Sequence, residues 1–114
     1  MSGSASFDDF CRVDMRVGRV VAAAPLAGAR RPAYRLEIDF GPEIGRKTAS
    51  AQLTRLYGTD ELVGRQVIGV VNLAPKRIAG VNSEVLVLGL PLADAADVVL
   101  LAPEREVPLG GRVF

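Results

Sequence analysis

A chain of 114 residues has room for one domain and not for two. With 49% hydrophobic and 24% charged residues, 12 Gly and 7 Pro, it is too apolar for a disordered tail and reads as a compact soluble domain. Lys and Arg total 14 against 13 Asp and Glu, a net charge of +1, so there is no global field of the histone-like or polybasic kind and any electrostatic site must come from local sorting.

In chain order, Ser6 followed three residues later by Asp9 predicts a capping box and a helix of one or two turns, with Phe7 and Phe10 on its buried side. Val13, Met15 and Val17 alternate with Asp14 and Arg16, the period-two pattern of a strand with one wet face, and Gly18 is the natural place for a bulge before Val20 and Val21. Pro25, Gly28 and Pro32 mark a loop. Tyr34, Leu36, Ile38 and Phe40 then face one way and Arg35, Glu37 and Asp39 the other, a strand closed by Gly41-Pro42. Residues 44–50 can pair back with it, and Leu53, Leu56 and Tyr57 predict a short helix over Ala51–Tyr57 stopped by Gly58. After a turn from Thr59 to Gly64, Val67-Ile68-Gly69-Val70-Val71 is an apolar run of strand length. Pro75 ends it, residues 76–83 read as a polar loop, and Val85-Leu86-Val87-Leu88 is the next buried strand. On this phasing Leu36, Ile38, Phe40, Val70, Leu86 and Leu88 share one core.

Residues 13–90 thus hold five strands with a short helix between the third and fourth. That is the element order of the five-stranded OB barrel, an all-β fold. Residues 1–114 form a single domain in this reading, with the barrel over 13–90. Residues 91–114 add Val98-Val99-Leu100-Leu101 and a tail with Val107, Val113 and Phe114 that the barrel does not need. Apolar strands outside a closed barrel must be covered, and a second copy of the chain is the simplest cover. Residues 1–12 and 91–114 are therefore the expected dimerisation elements.

The absence of His removes the commonest general base and metal ligand, together with every Ser-His or Cys-His mechanism. The single Cys11 cannot form an internal disulfide, and no zinc or iron–sulfur set can be assembled, so no cofactor or metal is expected and a reducing cytoplasmic location suits the chain. Cys11 sits in an apolar context and reads as a packed side chain, and Asp8-Asp9 reads as the acidic first turn of a helix. The first ten residues have neither the basic start nor the apolar run of a signal peptide, and no stretch has the length of a membrane span.

Charge is sorted along the chain. Residues 12–35 carry Arg12, Arg16, Arg19, Arg30, Arg31 and Arg35 against Asp14 alone. Residues 46–77 carry Arg46, Lys47, Arg55, Arg65, Lys76 and Arg77 against Asp60 and Glu61, and the balance reverses beyond residue 78. Such sorting allows one basic face on a neutral protein. The pairs Arg30-Arg31, Arg46-Lys47 and Lys76-Arg77 fall at predicted strand ends, in the rim loops where OB barrels hold oligonucleotides. Taken alone, the Arg excess reads first as solvated surface charge that follows genome composition, with a phosphate-binding face as the alternative.

Arg31-Pro32-Ala33-Tyr34, the strand ending Ile38-Asp39-Phe40-Gly41, the SAQLT run over 50–54, VVNLAPKRIAG over 70–80 and SEVLVLG over 83–89 together resemble the CsaA family. These are small bacterial homodimeric tRNA-binding-domain proteins described as secretion chaperones. The resemblance runs from about Phe7 to the ending at Pro108 to Val113. The tRNA-binding domains appended to methionyl- and phenylalanyl-tRNA synthetases are wider relatives, similar mainly through the Ser-Glu segment. The resemblance implies an OB barrel extended by terminal elements that form a dimer. It also implies a nucleic-acid surface on Lys47, Ser50, Lys76, Arg77, Asn82, Ser83 and Glu84, with Arg46 and Gln52 close by. Two departures stand out. Asn82 occupies a position that is basic in some relatives, and Leu73-Ala74-Pro75 replaces an aromatic-then-proline form.

Two functions follow from different classes. One is a tRNA-binding module whose basic loops track phosphate while the groove meets structured RNA by shape. The other is an export chaperone that holds unfolded or precursor polypeptides in a groove through apolar and main-chain contacts. An enzyme is disfavoured because no nucleophile–base pair is present. Glu84, an acid within a basic site, reads as an acceptor for loop amides rather than a ligand group.

Overall fold

The computed structural model describes residues 3–93 and 97–114. Met1, Ser2 and Asp94 to Ala96, which fall within the two expected dimerisation elements, lie outside the described residues. The barrel is built on one long strand. β1 (Met15–Pro25) pairs through residues 19–25 with β2 (Tyr34–Asp39) and through residues 15–19 with β4 (Gln66–Val70), all antiparallel. β3 (Arg46–Ala51) lies outside β2 and β7 (Leu86–Val87) outside β4, giving the sheet order β3-β2-β1-β4-β7. The sheet curls until its two edges nearly meet, so the five strands form the expected OB-type barrel.

A strand that serves two partners must bend. It does so at a bulge between Val20 and Ala22, beyond the expected position at Gly18. Gly18 has a different role. A Cβ there would lie 2.6 Å from Ile38 Cγ2 and 2.8 Å from the Phe40 ring, so the missing side chain is what lets Phe40 fill the barrel. Gly69 does the same from β4, where a Cβ would meet Val85 Cγ1 at 2.6 Å and Phe40 Cζ at 3.3 Å. Phe40, Leu36, Ile38, Val20 and Val67 are fully buried, with Ala49, Leu62 and Val85 packed around them.

Val85 corrects the expected phase of the last barrel strand. Its side chain occupies the space that Gly69 leaves, which turns Val85 and Val87 inward and leaves Leu86 52% exposed. Leu88 is half-buried. Four of the six expected core residues, Leu36, Ile38, Phe40 and Val70, are buried.

Other elements differ from their sequence patterns. α1 (Phe7–Cys11) has the predicted capping box, with Ser6 Oγ accepting from Asp9 N–H at 3.1 Å and Asp9 Oδ2 from Ser6 N–H at 3.0 Å. Its aromatic face is only partly buried within the chain, since Phe10 is half-buried and Phe7 is 73% exposed. Cys11 is exposed as well, and Val13 lies outside β1, exposed. The helix expected over Ala51–Tyr57 does not form. Ala51 is held in β3 opposite Tyr34, and a single Tyr57 N–H to Leu53 carbonyl bond closes one turn, too little to nucleate a helix. The helix of this connection is α2 (Thr59–Leu62), where the sequence suggested a turn; Glu61 Oε1 accepts from Gly58 N–H at 2.9 Å, and Leu62 is buried.

The expected polar loop at 76–83 is a hairpin of β5 (Lys76–Ile78) and β6 (Val81–Ser83). Its two-residue turn places Ala79 at φ +48° and Gly80 at φ +81°, the left-handed pair that a primed hairpin turn requires. Alanine is strained there by roughly 1–2 kcal/mol. Ala79→Asn is expected to raise stability by about 1 kcal/mol in urea unfolding. No gain would mean that the turn is relaxed as it stands.

β8 (Gly89–Pro91) and β9 (Val98–Leu100) form a separate pair, with Leu90 and Val99 facing out. The barrel uses the tail that it was expected not to need. Gly110 N–H and Val113 N–H donate to the Val17 and Met15 carbonyls at 2.9 Å each, and Val17 N–H donates to the Gly111 carbonyl at 3.0 Å. These bonds occupy the part of β1 that β2 leaves unpaired. Arg16 fastens the join, with Nη1 on the Gly110 carbonyl at 2.9 Å and Nε on Asp14 Oδ1 at 2.6 Å. The Asp14 hydrogen bond raises the Arg16 pKa further, so the guanidinium stays charged across the whole working range.

Candidate nucleic-acid interface

The edges of the barrel, β3 on one side and the β6–β7 segment on the other, meet through side chains as well as backbone. Glu84 N–H donates to the Thr48 carbonyl at 2.8 Å. Glu84 Oε1 accepts from Thr48 N–H at 3.1 Å, and Ser83 Oγ accepts from Ser50 N–H at 3.1 Å. Lys47 Nζ stands 3.9 Å from Glu84 Oε2. Glu84 is thus a backbone-amide acceptor as its acidic character within a basic segment suggested, but the amide is that of Thr48 in strand β3 rather than a loop amide.

Two recesses flank this seam. One, of about 280 Å³, is walled by Leu73, Ala74, Lys76, Ile78 and Leu86, with Ser50, Ser83, Glu84 and Val85 along the seam. The other, of about 360 Å³, lies between the β1–β2 loop and β3, bordered by Ala29, Arg30, Arg31, Ala33, Ser50, Gln52, Lys76 and Ile78. Ser50, Lys76 and Ile78 border both, so the two recesses adjoin, and together they are the groove described below.

The groove sorts the sequence candidates. Ser50, Gln52, Lys76, Ser83 and Glu84 line it. Arg46, Lys47, Arg77 and Asn82 do not. Lys47 is engaged with Glu84, and Arg77 sits opposite Asn82 in the β5–β6 register, one residue out of phase with Lys76 opposite Ser83. The strand period of two puts neighbouring basic residues on opposite faces. Arg46-Lys47 and Lys76-Arg77 are therefore strand residues rather than the expected loop pairs. Only Arg30-Arg31 lies in a loop, and the Leu26 N–H to Ala33 carbonyl bond of 2.9 Å closes its base. Those two arginines, placed in a rim loop by the charge pattern but absent from the set that the family resemblance implies, line the groove, as do Leu73, Ile78 and Leu86, which neither reading named for the site. The available signal was the Arg pair between Gly28 and Pro32.

Among the described residues, no carboxylate lies within ion-pair distance of Arg30, Arg31, Lys76 or Arg77. The recess beside the β1–β2 loop thus carries Arg30 and Arg31, while the one beside Leu86 combines Leu73, Ile78 and Leu86 with the polar seam of Ser50, Ser83 and Glu84. No described group of three Cys, Asp or Glu side chains could hold a metal ion, and no described helix is long and apolar enough to cross a membrane.

Residues 15–112 match the family described as putative tRNA binding domain. The chain belongs to that family. It is also CsaA-like throughout. It is 50% identical to the chaperone CsaA of Bacillus anthracis str. Ames, with a TM-score of 0.90 over 98% of this chain and 100% of that one. It is 42% identical to the CsaA chaperone protein of Picrophilus torridus, with a TM-score of 0.89 over 97% and 100% of the two chains. The methionine–tRNA ligase of Pyrococcus abyssi is 36% identical over 107 residues, which cover 94% of this chain. The chain spans only 14% of that ligase, so the match is to a domain and does not extend to the ligase as a whole.

Proposed function

We propose that this chain is a non-catalytic tRNA-binding module of the cytoplasm that works as a homodimer and assists protein export. The observation that carries the tRNA reading is a family match over residues 15–112 together with a groove whose cations have no described acidic partner. Free cations beside a recess favour an anionic polymer, and phosphate contacts bring affinity without base identity. Arg46, Lys47, Arg77 and Asn82, which do not line the groove, would meet the same RNA outside it.

Titration of tRNA at two salt concentrations tests this reading. Affinity is expected to fall steeply with salt. Replacing Lys76 and Arg77 together by Ala should weaken binding and flatten the salt slope by about 0.7–0.9 for each phosphate that is no longer neutralised. Equal affinities and slopes, with the fold intact by circular dichroism, would remove this hairpin from the site.

A second reading has its own observation. Leu73 and Leu86 are 48% and 52% exposed on one wall of the groove, and the two CsaA relatives are named as chaperones. An unfolded or precursor polypeptide held by such a wall would bind with little salt dependence. The dimer reading rests on Phe7, Leu92 and Val99, exposed on the terminal elements, with Leu90 exposed beside them. A monomer at micromolar concentration in sedimentation would overturn it.

A further inference from the structure

We infer that the groove takes an unstacked nucleotide of a bound RNA, its base in the apolar recess beside Leu86 and its flanking phosphates on Arg30, Arg31 and Lys76. This rests on the RNA-binding reading and changes its mode from contact by outer shape to insertion of a base. The charge distribution argues for it. Arg30 and Arg31 stand at one end without a described acidic partner, and Lys76 lies where the two recesses join. Beyond Lys76 the walls are Leu73, Ala74, Ile78, Val85 and Leu86, with Ser50, Ser83 and the Glu84 carboxylate along the seam and no further cation, so this end repels phosphate and offers apolar surface. A duplex presents phosphates along its whole flank and would leave the apolar end empty. A base turned out of its stack is a flat, largely apolar body joined to phosphates, and such bases are gripped between apolar or aromatic side chains. The recesses, about 280 and 360 Å³, fall just below and just above the roughly 300 Å³ at which small-ligand pockets begin.

An extended peptide suits the groove less well. Strand addition needs free edge amides, and those of Thr48, Ser50 and Glu84 are already engaged across the seam. The Ser83 hydroxyl accepts the Ser50 N–H and keeps its own hydrogen to donate, so the recess retains a polar contact for a base edge.

The test compares three fluorescein-labelled probes on the full chain: a hexa-adenylate single strand, a blunt RNA duplex and unfractionated tRNA. The variants are Leu73→Ser with Leu86→Ser, both exposed and outside the core, and Arg30→Ala with Arg31→Ala. The hexamer is expected to bind and to displace tRNA better than the duplex does. The leucine variant should weaken hexamer and tRNA binding tenfold or more with the salt slope unchanged. The arginine variant should weaken both and flatten the slope by about 1.4, or 0.7 for each of two phosphate contacts. If tRNA binds the wild type while the hexamer fails to compete and the leucine variant binds normally, base insertion is wrong and the tRNA reading stands. If the hexamer binds and tRNA does not, insertion stands without tRNA. If an apolar peptide occupies the groove and all three RNAs are inert, both readings fall.

Discussion

Phe40→Ala is expected to lower stability by about 3–5 kcal/mol in urea unfolding, the largest loss of any single substitution in this barrel. Phe40 is fully buried, and two glycines shape the cavity around it, so its removal leaves a void bounded by backbone on two sides. Strands pinned by their ladders cannot close that void. Leu86→Ala, by contrast, should stay within about 0.5 kcal/mol, because the side chain already stands in solvent. A loss for Leu86→Ala comparable to that for Phe40→Ala would show that β7 faces the other way.

The contrast between Phe40 and Leu86 shows which parts of the fold the sequence could carry. β2 and the residue after it alternate from Tyr34 to Phe40 with charged partners at every second position, so the phase has one solution, and the structure has it. Val85-Leu86-Val87-Leu88 is apolar at every position, and periodicity cannot choose a face for such a run. The choice is made by Gly69 on the neighbouring strand, a contact between residues distant in the chain. The same limit applies to the hairpin at 76–83. Its turn is Ala-Gly rather than Asn-Gly, so the usual local signal is weakened and the segment reads as loop. The site was legible in part for the same reason. Ser50, Lys76, Ser83 and Glu84 come from segments with family-like motifs. Arg30 and Arg31 were legible as a basic pair in a rim loop, but that they meet Ser50 and Lys76 depends on the β1–β2 loop folding toward β3, a matter of tertiary placement.

Glu84 separates stability from binding in one position. Its Oε1 holds the Thr48 amide across the barrel seam, while its charge lies on the wall of a cationic groove. Glu84→Gln keeps an acceptor oxygen for that amide and removes the charge. Stability should then change by less than about 0.5 kcal/mol. The affinity for tRNA should rise about threefold, the Coulomb benefit of deleting one negative charge roughly 6 Å from a phosphate in a water-like dielectric. The gain should vanish in high salt. Glu84→Ala removes the charge and the acceptor together, leaving the half-buried Thr48 amide unpaired, and is expected to cost about 1–3 kcal/mol. Loosening of β3 against β6 would also displace Ser50 from Ser83, so the Ala variant should lose the affinity that the Gln variant gains. Urea melts of both variants beside tRNA titrations at two salt concentrations make the comparison. If both variants bind tRNA more tightly and melt like the wild type, the seam does not depend on Glu84, and the carboxylate acts on the groove through its charge alone.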